Sequence, residues 1–146
     1  MPVPEVTRQN APMVALSWGE LIDKITILEI KQQRLSSTDA VVNVQRELAA
    51  LTAVVNASAV PASVTAVKQA LKIVNEKLWD IEDQIRAKEA QSSFDQDFIE
   101  LARSVYFNND ERAKLKREIN RLMNSELVEE KQYTTYAPQG SLSPTV

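Results

Sequence analysis

"VTAVKQALKIVNEKLWDIEDQIR", residues Val64 to Arg86, decides the fold. Val64, Val67, Leu71, Val74, Leu78, Ile81 and Ile85 keep a strict three-four alternation. That period places all of them on one face of an α-helix. A seam this regular is of coiled-coil grade, with Val64, Leu71, Leu78 and Ile85 at heptad position a and the others at d. On the same frame Trp79 and Arg86 fall at b, Asp80 at c and Asp83 at f. Asn75, Trp79, Asp83 and Arg86 therefore make a second stripe away from the seam, with a large aromatic at its centre. Two explanations fit it. One is a second packing face, with Asp83 and Arg86 as a surface ion pair. The other is a ligand surface, with Trp79 stacking a planar group and Arg86 holding an anion.

Working outward, "SWGELIDKITILEIKQQRL" (Ser17 to Leu35) opens with Ser17 and Glu20 in capping-box spacing. Trp18, Leu21, Ile25, Leu28 and Leu35 form one stripe, while Ile22, Ile27 and Ile30 lie off it. A helix apolar on more than one face is covered on more than one side, which predicts that this first helix is central. "SSTD" (Ser36 to Asp39) supplies a new cap, and Val41, Val44, Leu48, Leu51 and Val55 stripe the second helix. Pro61 stands where the third helix starts. Phe94, Phe98, Leu101 and Val105 mark a shorter fourth helix from about Asp95, and "NND" (Asn108 to Asp110) caps a fifth bearing Leu115, Ile119 and Leu122.

The expected fold is all-α: a long antiparallel helical hairpin or coiled-coil bundle with two shorter C-terminal helices. The Val-, Leu- and Ala-rich seam of the second and third helices buries little apolar surface, which predicts a homo-oligomer. The spans read as an N-terminal tail over 1–13, one helical domain over 14–133 and a C-terminal tail over 134–146.

Composition narrows the chemistry. The 146 residues suit a single domain with a real core, and 44% are hydrophobic and 25% charged. Only 2 glycines punctuate the chain, and aromatics at 5% are too sparse for most β-sandwich cores. A net charge of -3 lacks the basic footprint of a nucleic-acid binder. There is neither Cys nor His, so thiol chemistry, disulfides and the commonest general base and transition-metal ligand are excluded. No apolar run is long enough for a membrane span or signal peptide, and the expected location is cytoplasmic.

The remaining polar stripes are candidates for binding. Glu100, Arg103 and Tyr106 share a face at three-residue spacing, and Arg112, Lys116 and Asn120 recur every four residues. Beside a helix start at Asn108 and Asn109, such a basic stripe is placed to seat a phosphate; the alternative is a solvated charged face. Glu20 with Asp23, and Asp80 with Asp83, are acid pairs of the kind that all-helical enzymes use to hold Mg²⁺. Positions c and f carry Asp80 and Asp83 away from the seam, which tells against that site. No serine-lysine arrangement stands out, and no catalytic residue is assigned.

"SWGELIDKITILEIK", "VNEKLWDIEDQIR", "FIELARSVYFNNDERAKLKREIN" and "LVEEKQY", in that order, resemble the bacterial and phage proteins grouped as domain-of-unknown-function family 6165. The resemblance runs from about Val14 to Tyr133. It implies a small helical protein, of a kind sometimes encoded near surface-polysaccharide genes or carried by phages, and implies no activity. Its motifs map onto Ser17, Gly19, Glu20, Asp23, Lys24 and Glu29, then Asn75, Trp79, Asp80, Glu82, Asp83 and Arg86. They continue through Glu100, Arg103, Tyr106, Asn109, Asp110, Arg112 and Lys116. So polar a signature favours a real polar site over a pure scaffold.

The leading expectation is a homo-oligomeric bundle, without cofactor, that binds a small anionic ligand, a nucleotide or nucleotide-sugar. Trp79 or Tyr106 stacks the planar group, Arg86, Arg103, Arg112 and Lys116 neutralise phosphate, and Asp83 and Glu100 orient the arginines. By analogy, a phage-encoded member would sequester a signalling nucleotide. The alternatives are a coiled-coil scaffold or adaptor without a small-molecule site, and a Mg²⁺-dependent nucleotide pyrophosphohydrolase using Glu20, Asp23, Asp80 and Asp83. Each site assignment requires stripes on different helices to converge.

Overall fold

A computed structural model describes residues 9–136 together with Pro2; residues 1, 3–8 and 137–146, which fall within the two expected tails, lie outside it. The described residues form four α-helices and no strand: α1 (Trp18–Arg34), α2 (Thr38–Asn56), α3 (Ala62–Ala90) and α4 (Gln96–Met123). No helix among them is long and apolar enough to cross a membrane.

The starts follow the cap chemistry of the sequence. Ser17, Ser37 and Asp95 each accept a hydrogen bond from the backbone N–H three residues on, satisfying a donor that the first turn leaves unpaired. Glu20 does not complete the capping box, because its carboxylate reaches across to Lys116 on α4. At the far end of α4, Asn124 turns left-handed at φ 50°, and the Ser125 amide donates back to the Asn120 carbonyl.

Helix α1 is the hub. It packs against α2, α3 and α4, and the only other packed pair is α3 with α4. Leu21, Ile22, Ile25, Leu28 and Ile30 are all buried, so the two apolar faces legible in the sequence are both covered. Val64 and Leu71 of α3 and Ile119 of α4 close the core, with Leu48, Leu51 and Val55 of α2 packed against it.

Two expectations need correction. The second and third helices do not pair along their length; α2 lies on α1, and the seam of α3 serves α1 and α4. The two shorter C-terminal helices are one helix of 28 residues that runs straight through Asn108, Asn109 and Asp110. Asparagine is only a weak helix breaker, and tertiary packing overrides it. Here the Asn108 amide donates to the Ser104 carbonyl one turn back, so its side chain bonds within the helix instead of capping a new one.

The α1–α4 contact is close enough to demand glycine. The Gly19 amide donates to Asn120 Oδ1 at 2.7 Å, and a Cβ at this position would collide with the Lys116 carbonyl oxygen. Because that oxygen belongs to the backbone, relief requires moving α4. Gly19→Ala is therefore expected to lower stability by about 2 kcal/mol in urea unfolding, despite alanine's better helix propensity.

Candidate functional site

The contact of α1, α3 and α4 is held by polar groups, not by the hydrophobic seam alone. Asp23 is 1% exposed. Its Oδ1 accepts from Asn75 Nδ2 and from Arg112 Nε, each at 2.9 Å, and its Oδ2 accepts from Arg112 Nη2 at 2.6 Å. Asn75 Nδ2 also donates to Thr26 Oγ1 at 2.9 Å, and that hydroxyl donates to the Asp23 carbonyl at 2.7 Å. A charge is tolerated inside a protein when it is paired and its remaining lone pairs are bonded. That condition is met here, and no buried side-chain polar atom among the described residues lacks a partner.

One turn further along α4, Lys116 is buried between Glu20, at 2.8 Å, and Glu129, at 2.7 Å. Burial alone would push its ammonium down, but the Glu129 and Glu20 carboxylates outweigh that and hold it above its usual 10.5. Lys116 in turn holds the Glu129 carboxyl below its usual 4.5. The hydrogen bonds from Arg112 to Asp23 likewise raise the guanidinium further.

Beside this network lies a cleft of about 290 Å³. Ile27 and Ile30 of α1 form one wall, Asn75, Leu78, Trp79 and Glu82 of α3 a second, and Val105, Asn109 and Arg112 of α4 a third. The Arg34 guanidinium stands over the Trp79 ring at 5.8 Å from its centroid and bonds Asp80 at 2.7 Å, so the indole is clamped at the cleft's rim. Nη1 of Arg112 and the Asn109 amide have no hydrogen-bond partner among the described residues. These donors belong to residues of the α4 wall, and Trp79 is on the neighbouring α3 wall.

Of the residues proposed from sequence, Trp79 and Arg112 meet in this cleft. The others do not join them. Lys116 is enclosed by its two carboxylates. Arg86 pairs with Glu82 at 2.7 Å on the surface of α3 rather than with Asp83, which is exposed. Glu100 lines a separate, open groove of about 560 Å³ between the ends of α3 and α4, where Lys88 is already engaged by Asp95. Arg103 and Tyr106 face outward, the latter among Phe107 and Tyr136. The expectation that Asp83 and Glu100 orient the arginines is thus corrected: Arg112 is oriented by Asp23. The phosphate seat at Asn108 and Asn109 is also corrected, since mid-helix amides already bond within the helix.

The four acids of the alternative metal site are not brought together either. Glu20 and Asp23 face cations, Asp80 bonds Arg34, and no three acids gather at one point among the described residues. The sequence names Asn109 as part of a helix start and as a motif position, and not as a cleft residue beside Trp79. Its signal was present, because Val105, Asn109 and Arg112 share one helical face. Asp23 carried a signal too: it lies among the apolar positions Ile22, Ile25 and Ile30, where a carboxylate must find partners on other helices.

The chain matches a family model described as a family of unknown function, DUF6165, over residues 13–145. No curated protein and no solved structure matches it.

The Glu129 contact gives a pH signature. A carboxyl held below its usual value contributes stability above 4.5 that is lost as pH falls through its folded pKa. The stability difference between wild type and Glu129→Gln should therefore be constant above pH 4.5 and shrink below it, as read from urea midpoints across pH. A difference that persists unchanged in acid would contradict the pairing with Lys116.

Proposed function

We propose, on the premise that the chain belongs to the DUF6165 family, that this protein binds a small planar molecule carrying one anionic group, in the cleft between α1, α3 and α4. The carrying observation is the meeting of Trp79, Asn109 and Arg112 on one cleft whose arginine is anchored by a buried carboxylate. Pre-anchoring removes most of the ordering cost that a long side chain would otherwise incur on binding. The indole offers a face for stacking, Asn109 a two-way amide, and Nη1 of Arg112 a charged donor for a carboxylate or a single phosphoryl oxygen.

The cleft narrows the wider expectation of a nucleotide or nucleotide-sugar. At about 290 Å³ it lies at the lower end of small-molecule pockets, sized for one ring system with a substituent. It also presents a single unsaturated cation, because Lys116 is neutralised by two carboxylates. A di- or triphosphate has no match there. Glu82 is the one carboxylate on the cleft wall and is paired with Arg86, so the reading is a binding protein with no catalytic residue assigned.

Calorimetric titration with orotate, 4-hydroxybenzoate and adenosine monophosphate tests the reading, after native mass spectrometry for any molecule retained through purification. Saturable binding of a planar monoanion is expected, weakened about tenfold or more by Trp79→Ala and retained by Trp79→Phe, with helix content unchanged in both. Equal affinity in Trp79→Ala would remove the cleft from the account. Absence of both binding and retained mass would favour the competing reading, a helical scaffold, for which exposed Phe94, Ile99, Tyr106 and Phe107 are the material.

A further inference from the structure

Helix α1 ends at Arg34, beside Asp80 of α3. Beyond that point α3 continues from Ile81 to Ala90 and α4 returns from Gln96, so the two helices form an arm with only each other for support. A lone helix pair leaves its outer faces to solvent.

On α4 the exposed face is apolar at both ends and charged in the middle. At 100° per residue, Ile99, Arg103, Tyr106 and Phe107 occupy one side, with Glu100 at its edge where it also lines the groove toward α3, opposite the side of Val105, Asn109 and Arg112 that lines the cleft. Ile99 is 47% exposed, Tyr106 40% and Phe107 41%, although Tyr136 packs at 5.5 Å and 5.2 Å from the two aromatic rings. Large apolar side chains gathered on one exposed face mark an interaction site. Glu100 and Arg103 between them form no ion pair with any other described residue; Glu100 only accepts a long hydrogen bond of 3.5 Å from Gln96.

We propose that this face is a self-association surface on which a second copy of the chain packs antiparallel. The two-fold axis passes α4 at the level of Leu101 and Ala102, so that Glu100 of each copy meets Arg103 of the other. The charge order dictates this occupant. A two-fold contact is isologous, and an acid and a base set three residues apart become two identical complementary pairs only when the facing helix runs in the opposite direction. Ile99 and the Tyr106–Phe107 pair then flank the charges as the apolar part of the contact, as aromatic residues do at the centres of interfaces. The inference is independent of the ligand reading, since it uses the other side of α4.

Sedimentation of the full chain tests it. Wild type is expected at twice the monomer mass, while Glu100→Arg and Arg103→Glu each weaken the dimer about tenfold or more, because each sets like charges against each other twice. Both positions are exposed, so circular dichroism should show unchanged helicity. An equimolar mixture of the two variants should recover the dimer as a heterodimer, each former clash having become an attractive pair. A monomeric wild type at high micromolar concentration, a dimer indifferent to both variants, or a mixture that fails to recover would each overturn the proposal.

Discussion

Asp23 brings a carboxylate into the contact of three helices, and the cost of burying that charge disciplines everything around it. An unpaired carboxylate there would be untenable, so α3 must present Asn75 and α4 must present Arg112 at one depth and one rotation. Hydrophobic contact is tolerant of small slips along a helix, whereas three hydrogen bonds to one carboxylate are not. The seam residues supply most of the cohesion, and Asp23 sets the register in which they cohere. Gly19 against α4 and Lys116 between Glu20 and Glu129 repeat the same restriction one turn away.

The cleft is a consequence of that register. Asn75 and Trp79 are one turn apart on α3, so fixing the first on Asp23 brings the second to the cleft's rim, where Arg34 holds it. Arg112 is fixed by two of its nitrogens and keeps Nη1 directed elsewhere. Arg112 thereby both locks the fold and lines the cleft, with Trp79 on the neighbouring wall. Beyond Arg34 the constraint ends, and α3 and α4 run on as an arm with an outer face of their own. α4 thus lines a cleft on one side and exposes Ile99, Tyr106 and Phe107 on the other.

Much of the architecture was legible because it is written locally. The three-four seam of α3, the two apolar faces of α1, and the caps at Ser17 and within Ser36–Asp39 depend on neighbours within a few residues. The continuity of α4 was not legible, since "NND" reads as a cap until Val105 and Arg112 are seen to be packed on either side of it. The pairing of α2 is not legible for a related reason: periodicity says that a face is buried and not which helix buries it. At the site, Trp79 and Arg112 stood out by residue type, while Asn75 belonged to a stripe that splits. Its start turns inward to Asp23 and its end, Asp83 and Arg86, stays in solvent. The partners that decide this lie 52 and 89 residues away in the chain, beyond the reach of any local pattern.

The central claim is that Asp23 and Arg112 act as one unit in holding the three helices, and a double-mutant cycle in urea measures it directly. Asp23→Ala and Arg112→Ala should each cost about 3–5 kcal/mol, because each strands the other group without its partner. The double variant should cost less than the sum by about 2 kcal/mol, the coupling of two groups in direct contact. Costs that add to within about 0.5 kcal/mol would show the two residues to be independent, and would contradict the account of how this fold and its cleft are set.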